Sequence, residues 1–568
     1  MTLLIYGGRT HETKLHGIRG RHHAPRGIHL PVVSSRWGTD LEKRGATGLA
    51  GLGDYLDISY SVLVDIDGIV ASVLIDTGSS DLWVLGDSCI TGCDASVPLH
   101  PLSTVNSTGL DVSLRYGDSG TGTYAYGVIG NGIVDIASLQ VSNQKFALIN
   151  RTNAGVKESS SSGIFGLGFP VNSVLWNTLF VERYLKSSSV VQGAPTNCLT
   201  RRRTFGDGEY LPHPNLPFRQ SQFPDLSFLD PDLAHTSHQS TRAVESLSDR
   251  VFQSYLDIAP LLGRLIAAKE IDPMFAVSLQ RDTVEIGGNA GQLSIGELPP
   301  GTQNDSLTWV PVRGYTRSQG GLPPPADSPG EVYPIAWEIP IDDVYLDGTK
   351  LPRSNLSSST ISVSALIDTG NSLIRGPEDV ITEIDHRIGT SFLCSDVHTL
   401  AFSIGGKLFP VDPRDFVFQQ FADSVTRCIA NVVVTDPPAE GGYLFSWSLG
   451  TPFLKGVISA FYFGDLQYPS RDPPRVGLLS TVPQDAGEKL TDAVNIAKAG
   501  GGNFPSIAES ASTGTSTRAP IALDTKVPVP TRDNPPVDQG QGSSAIKTHG
   551  SDSFLYWIVQ GMVIWILY

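Results

Sequence analysis

Two copies of the triplet Asp-Thr-Gly are the residues of this chain best suited to catalysis. The first lies in VLIDTGSSDLWV, residues 73–84, and the second in ALIDTGNSLI, residues 365–374. Both triplets follow a Leu-Ile pair and lead into a small polar pair and further apolar residues. A single triplet of this kind is weak evidence, but two copies in matching surroundings indicate an internally duplicated fold.

The chemistry depends on bringing the carboxyl groups of Asp76 and Asp368 together. Two carboxylates in a desolvated site cannot easily both ionise, so they share a proton. The ionised group can then act as a general base on a water molecule while the protonated group polarises a carbonyl. We expect the glycine of each triplet to permit a tight turn that aims the carboxylate outward. We expect the threonine hydroxyls to hydrogen-bond across to the other copy.

Short strands should position both triplets. Apolar and polar residues alternate between Gly and Asn turns from residue 55 to about 149, and again from about 274 to 479. The chain holds 59 Gly and 39 Pro, with 17% charged residues, which favours a β-rich fold over a helical bundle. Its 568 residues are too many for one core, so two or more units are expected.

These motifs resemble the pepsin family of aspartic proteases, family A1. VSLRYGDSGTG, residues 112–122, resembles that family's flap hairpin and places the flap tyrosine at Tyr116. Trp83, seven residues after Asp76, matches the tryptophan that pairs with this tyrosine. GIFGLGF (163–169) and WSLGTPFLKGVISAFYFGD (447–465) resemble the apolar-Gly elements of the two lobes. The resemblance implies a mainly β, bilobal pepsin-like fold, with two homologous β-barrel-like lobes and a cleft between them.

The resemblance also implies a function and a set of site residues. The function is that of an aspartic endopeptidase, which hydrolyses extended polypeptides in acid without a covalent intermediate, cofactor or metal. The implied site comprises the catalytic Asp76 and Asp368, the supporting Thr77, Gly78, Ser79, Thr369, Gly370 and Asn371, and the flap residues Tyr116, Gly117, Asp118 and Trp83. The alternative is a catalytically inactive binding or inhibitor protein on the same fold. Such proteins typically lose one aspartate or the flap tyrosine, and this chain keeps all three.

Two positions depart from the family pattern. Asp118 places an acid near the flap tip, where a small neutral or polar residue is usual. It could favour basic substrate side chains, as in the yapsin-like fungal enzymes that are secreted or GPI-anchored, or it could be a solvated turn residue. Asn371 replaces the more usual Ser or Thr after the second triplet.

Cysteines and charge bear on compartment and partners. The resemblance implies the disulfides Cys89–Cys93 and Cys394–Cys428, and Cys198 has no visible partner. Disulfides indicate an oxidising compartment, so we expect an extracellular or cell-surface protein, although no signal peptide is evident.

No Cys-x-x-Cys pair lies beside a matching His or Cys set, so no metal site is expected. A net charge of -16 argues against nucleic acid as a partner. We expect a monomer that acts on polypeptide substrates.

Composition divides the chain into five predicted segments. Residues 1–44 hold eight Lys/Arg against three acids and are interpreted as a propeptide remnant that covers an acidic cleft, with processing at Lys43-Arg44 before a flexible stretch at 45–53. The N-terminal lobe is 54–273, the C-terminal lobe 274–482, and a disordered Ser/Thr/Gly/Pro-rich stalk 483–553. The hydrophobic tail, 554–568, resembles a GPI attachment signal or a short membrane anchor.

One stretch inside the first lobe breaks the strand pattern. Residues 190–249 are rich in Ser, Pro, His and Arg and are interpreted as an exposed insertion or as translated intron. If the stretch is genuine, it could prevent the first lobe from folding and leave a defective product.

Overall fold

The computed structural model describes residues 48–509, with gaps at 56–57, 94–96, 121, 157–158, 188–246, 280–284, 287–288, 326, 440–441 and 506–507. The predicted propeptide remnant, most of the polar insertion, Cys198 and the hydrophobic tail lie outside the described residues. What was predicted for them, and the lobe boundaries, stay predictions.

The described part of the chain is mainly β, as the sequence predicts. Its strands in the first half are β1 Gly48–Gly51, β2 Gly53–Tyr55, β3 Ser59–Ile66, β4 Ile69–Asp76, β5 Leu82–Leu85, β6 Asn106–Tyr116, β7 Thr123–Ile136, β8 Leu139–Thr152, β9 Gly163–Gly166, β10 Met274–Leu279, β11 Glu285–Ile286 and β12 Asn289–Ile295.

The strands of the second half are shorter on average. They are β13 Thr308–Pro311, β14 Gly314–Tyr315, β15 Tyr333–Pro334, β16 Glu338–Pro340, β17 Asp343–Leu346, β18 Thr349–Lys350, β19 Ser364–Ile367, β20 Ile374–Gly376, β21 Phe392–Leu393, β22 Leu400–Ile404, β23 Lys407–Pro410, β24 Val417–Phe421, β25 Ser424–Ala430, β26 Val432–Val434, β27 Trp447–Leu449, β28 Val457–Tyr462, β29 Arg475–Ser480 and β30 Ala508–Glu509.

The described residues also form α-helices. They are α1 Val174–Ser187, α2 Leu247–Ile258, α3 Leu261–Ala267, α4 Glu378–Ile388, α5 Pro413–Phe416, α6 Thr451–Leu454 and α7 Ala486–Ala499. Within the described ranges, no helix is long and apolar enough to cross a membrane.

The two lobes repeat one pairing pattern, which confirms the predicted bilobal fold. In the first lobe β4 pairs in parallel with β9, β9 pairs antiparallel with β5, and β5 pairs in parallel with β8. In the second lobe β19, β27, β20 and β26 pair in the same order and with the same directions. The central strands β9 and β27 are buried along their whole length, as expected for parallel-paired strands covered on both faces.

A further sheet joins the lobes beneath the cleft. Its strand order is β1-β12-β10-β28-β29-β13, with β11 paired to β12, so first-half strands form one side of it and second-half strands the other, and the two sides meet where β10 pairs with β28. Aromatic rings pack on this sheet, with Trp337 lying 5.1 Å from Phe461 and 4.3 Å from Phe169 between ring centroids. The Trp337 indole N–H donates to the carbonyl of Leu167 at 3.0 Å. The lobes therefore share one core.

Parts of two predicted flexible stretches form regular elements within the described residues. The prediction of a disordered stalk from residue 483 is wrong for α7, whose Leu490, Val494 and Ala497 are buried beside the Cys394–Cys428 disulfide. These apolar residues recur at helical spacing. The overall composition of a segment does not reveal such spacing. The stretch at 45–53 contains β1, which pairs along its length with β12.

Candidate active site

Buried strands deliver both predicted catalytic residues to the interface between the lobes. Strand β4 ends at Asp76 and strand β19 ends one residue before Asp368. Asp76 is buried, whereas Asp368 is partly exposed at the floor of the cleft. The fold thus brings Asp76 and Asp368 side by side, although they lie 292 residues apart in the chain.

The threonines of the two triplets hold the two turns together. The Thr77 hydroxyl donates to the carbonyl of Ile367 at 2.7 Å and accepts from the backbone N–H of Thr369 at 2.9 Å. Reciprocally, the Thr369 hydroxyl donates to the carbonyl of Ile75 at 2.9 Å and accepts from the backbone N–H of Thr77 at 3.0 Å. All four bonds are buried, so the expected cross-lobe contact is present and symmetric.

The glycine of each triplet lies directly against the carboxylate of the other. Its backbone N–H donates to its own aspartate, from Gly78 to Asp76 at 2.8 Å and from Gly370 to Asp368 at 3.0 Å. Neither glycine has a positive φ. The expectation that glycine provides backbone freedom is therefore wrong, because what these positions require is the absence of a side chain.

Burial is the main cause that raises the pKa of both carboxyl groups above the ordinary range for aspartate. The charge of Asp76 raises the pKa of Asp368 further, while the Ser79 hydroxyl, which donates to Asp76 at 2.5 Å, opposes the rise at Asp76. Both effects favour placing the shared proton on Asp368 rather than on Asp76. Paired carboxylates in aspartic proteases are a well-known instance of such proton sharing.

The flap is the hairpin of β6 and β7, and its predicted residues meet as expected. Tyr116, the last residue of β6, accepts a 2.8 Å hydrogen bond from the indole N–H of the buried Trp83. Gly117 follows with φ of 81°, a conformation that glycine adopts without strain.

The two departures from the family pattern are linked by one arginine. Asp118 is not a solvated turn residue, because its carboxylate accepts from the Arg375 guanidinium at 2.7 Å and only 13% of its side chain is exposed. Asn371 turns away from the dyad, donating to Ser448 at 2.9 Å and accepting from Arg375 at 3.3 Å. The counterpart position in the first lobe is Ser79, which contacts Asp76. The two halves of the dyad are therefore supported differently.

A cleft of about 360 Å³ lies between the flap and the two aspartates. Sequence reasoning missed four residues that line it, namely Asp81, Arg375, Asp436 and Tyr443. Asp81 accepts from Ser173 and from the first N–H groups of α1, and burial raises its pKa to about 6. Its place five residues after Asp76 was the one available signal. In the described ranges no group of three or more His, Cys, Asp or Glu could hold a metal ion.

Comparison with known proteins agrees with this geometry. The model of the eukaryotic aspartyl protease family matches residues 67–200 and 247–467, more than half of the chain. The chain belongs to this family. The match is interrupted within the polar stretch of the first lobe.

Two relatives align along most of the length of this aspartyl protease, and a third aligns with about a third of it. It is 25% identical over 449 residues to cathepsin E-A of Xenopus laevis, covering 76% of this chain and 81% of that protein. It is 21% identical over 454 residues to cathepsin D of Dictyostelium discoideum, covering 77% and 88%. Napsin-A of Mus musculus is 30% identical over 217 residues, covering 36% and 44%.

The predicted pepsin-like class, the aspartic endopeptidase function and both disulfides are confirmed. The narrower yapsin-like fungal type is not confirmed and stays a prediction.

Proposed function

We propose that this aspartic endopeptidase cleaves extended polypeptides with one water molecule activated jointly by Asp76 and Asp368. The observation that carries the proposal is the pair of carboxyl groups, each delivered by its own lobe, locked together by Thr77 and Thr369, and facing one cleft. The cleft lies between the lobes, where an extended chain can thread past the dyad.

The asymmetry of the dyad assigns the roles. Asp76, supported in its ionised form by Ser79, takes a proton from water as that water attacks the substrate carbonyl. Asp368 donates its proton to the carbonyl oxygen as the tetrahedral intermediate forms. Collapse of the intermediate breaks the C–N bond: the proton that Asp76 took from water passes to the departing amine, and Asp368 regains its proton from the hydroxyl as the new carboxyl group forms. The reaction needs no covalent enzyme intermediate.

The decisive test compares the wild type with Asp76→Asn and Asp368→Asn on a peptide library in acid, with and without pepstatin. We expect each substitution to lower kcat about 100-fold or more, since it removes one partner of the acid–base pair. Asp305→Asn, at an exposed position remote from the cleft, is the matched control. Cleavage that resists pepstatin would contradict the proposal. No cleavage by the wild type would also contradict it and would favour the inactive binding protein.

We further propose an acid-activated monomer at the cell surface or outside the cell. Two disulfides support an oxidising compartment. The basic head would cover the acidic cleft until carboxylates protonate, and the hydrophobic tail would provide the GPI or membrane attachment. Protein purified at neutral pH and shifted to acid should lose its head near Lys43-Arg44. Retention of the head with best activity at neutral pH would contradict this part.

A further inference from the structure

The flap tip contacts the second lobe at two points in this structure. Arg375 of β20 donates from Nη1 to Oδ2 of Asp118 at 2.7 Å, and both side chains are shielded, with 17% and 13% exposed. Beside this pair, the backbone N–H and the hydroxyl of Ser119 donate to the two carboxylate oxygens of Asp436 at 3.0 and 2.5 Å. The flap is therefore closed onto the opposite lobe, directly over the dyad.

The two members of the ion pair differ in how firmly they are held. Arg375 lies on a strand paired on both sides, with β26 and with β27. Its Nε donates to Asn371, which is itself fixed by Ser448. Asp118 lies at the turn of a two-stranded hairpin. Lifting the hairpin to admit a peptide moves Asp118 away, while Arg375 remains on the cleft floor.

A lifted flap leaves a guanidinium facing the bound peptide. A guanidinium has five N–H donors in a planar fork that matches a carboxylate, and its contacts with Asn371 and Asp118 use two of them. The other charged groups that line the cleft are Arg115 and the acids Asp76, Asp81, Asp368 and Asp436. Of these acids, Asp76 and Asp368 share a proton as a dyad, and Asp436 is hydrogen-bonded to the flap. Arg375 is therefore the cation of the cleft floor next to the dyad.

We propose that Arg375 is a specificity-determining residue that accepts an acidic side chain of the peptide substrate in the place that Asp118 occupies in the closed cleft. The inference rests on the proposed endopeptidase function and names its preferred substrate class. It replaces the expectation that Asp118 selects basic side chains, because Asp118 moves away with the lifted hairpin while Arg375 stays beside the dyad.

The test uses fluorogenic peptides that carry Glu, Gln or Lys at each of the six positions around the scissile bond. At pH 5.5 a peptide Glu is ionised. We expect the wild type to prefer Glu over Gln at one position by about tenfold in kcat/KM, the free energy of one hydrogen bond to a charged group. The preference should fall to near one in Arg375→Gln and shift to Lys in Arg375→Glu. It should also fade in the wild type at pH 3, where Glu is protonated.

Controls separate the possible outcomes. Arg387→Gln, on the outer helix α4, should keep the wild-type ratio. Asp118→Asn should keep or raise the Glu preference, because it removes the competing carboxylate. Wild-type cleavage with no Glu preference, with a Lys preference abolished by Asp118→Asn, or with a Glu preference that survives Arg375→Gln would overturn the proposal.

A binding measurement keeps this inference distinct from the proposed function. Asp76→Asn is compared with Asp76→Asn/Arg375→Gln for binding of the Glu and Gln peptides at pH 5.5. A binding ratio that favours Glu only when Arg375 is present supports the inference even if no peptide is cleaved, which would overturn the proposed function alone. Equal binding of both peptides by Asp76→Asn would overturn the inference.

Discussion

A Cβ atom on Gly78 would stand 2.7 Å from Oδ1 of Asp368, and one on Gly370 would stand 2.4 Å from Oδ1 of Asp76. Non-bonded carbon and oxygen atoms do not approach so closely without displacement. Each lobe therefore leaves space for the catalytic group of the other. The positions of the two carboxyl groups therefore depend on the absence of a side chain at Gly78 and at Gly370, as well as on the surrounding hydrogen bonds.

Replacing Gly78 with alanine should displace Asp368 and lower kcat. We expect a loss of about 100-fold, the effect of shifting a reacting group by roughly 1 Å. Circular dichroism and thermal unfolding should show that the lobes stay folded, and peptide hydrolysis measures the loss. Gly330→Ala is the matched control, because a Cβ atom at that position would have no neighbouring atom within 4 Å. Equal activity of the two variants would contradict the crowding argument.

Replacing Thr77 with valine should destabilise the whole protein. The methyl group fills similar space but leaves the N–H of Thr369 and the carbonyl of Ile367 buried without their partner. We expect the free energy of unfolding to fall by roughly 2–4 kcal/mol, since each stranded group costs about 1–3 kcal/mol. Urea denaturation measures this. Thr349→Val, on an exposed edge strand, should change stability by less than about 0.5 kcal/mol.

Stability should fall as pH rises from about 4. Below the ordinary aspartate pKa, both the folded and the unfolded chain hold the proton of Asp368. Above it, the unfolded chain releases that proton, while the folded chain keeps it because burial raises the pKa of Asp368. The folded state then binds more protons, so raising the pH favours unfolding until the raised pKa is passed.

The Asp368→Asn variant should show a shallower decline in unfolding free energy between pH 4 and 7. One such group contributes at most about 1.4 kcal/mol per pH unit. Some decline remains in the variant, because burial also raises the pKa of Asp81 to about 6. Urea midpoints at each pH provide the measurement, with Asp305→Asn expected to follow the wild type. An unchanged slope in Asp368→Asn would show that its carboxyl is not protonated in the folded protein.

Replacing Tyr116 with phenylalanine should weaken catalysis without removing the flap ring. The indole N–H of Trp83 then loses its acceptor in a buried setting, and the flap loses its fixed position over the dyad. We expect kcat/KM to fall about tenfold, in keeping with one buried hydrogen bond. Tyr126→Phe, on the other strand of the same hairpin, should behave like the wild type in the same assay. A smaller effect at Tyr116 than at Tyr126 would contradict the role of the pair.

The duplicated motif made the centre of the site predictable from sequence. Asp76 ends β4 and Asp368 directly follows β19, and these two strands have the same pairing in their lobes. The repeated sequence motif therefore corresponds to a repeated topology. Trp83 and Tyr116 were identified because each occupies a fixed offset within a motif. Such positions depend on local geometry, which the local sequence encodes.

Contacts between distant segments were not predictable in the same way. Arg375 and Asp118 lie 257 residues apart, and neither segment contains a sequence signal that identifies the other as its contact. The reason for Gly78 was also misjudged, because crowding by the opposite lobe is a property of the assembled fold. Helix α7 was missed because a polar composition obscured three apolar residues at helical spacing.

The sheet that joins the lobes has a consequence for biosynthesis. Strand β28 pairs with β10, and β29 pairs with β28, so this sheet is incomplete until residue 480 has been made. A chain is synthesised and folds from its N-terminal end. Asp76 is therefore made long before Thr369, whose hydroxyl hydrogen-bonds to the turn that carries Asp76. A half-synthesised chain therefore cannot digest its surroundings, and proteolytic competence arrives only with the last strands.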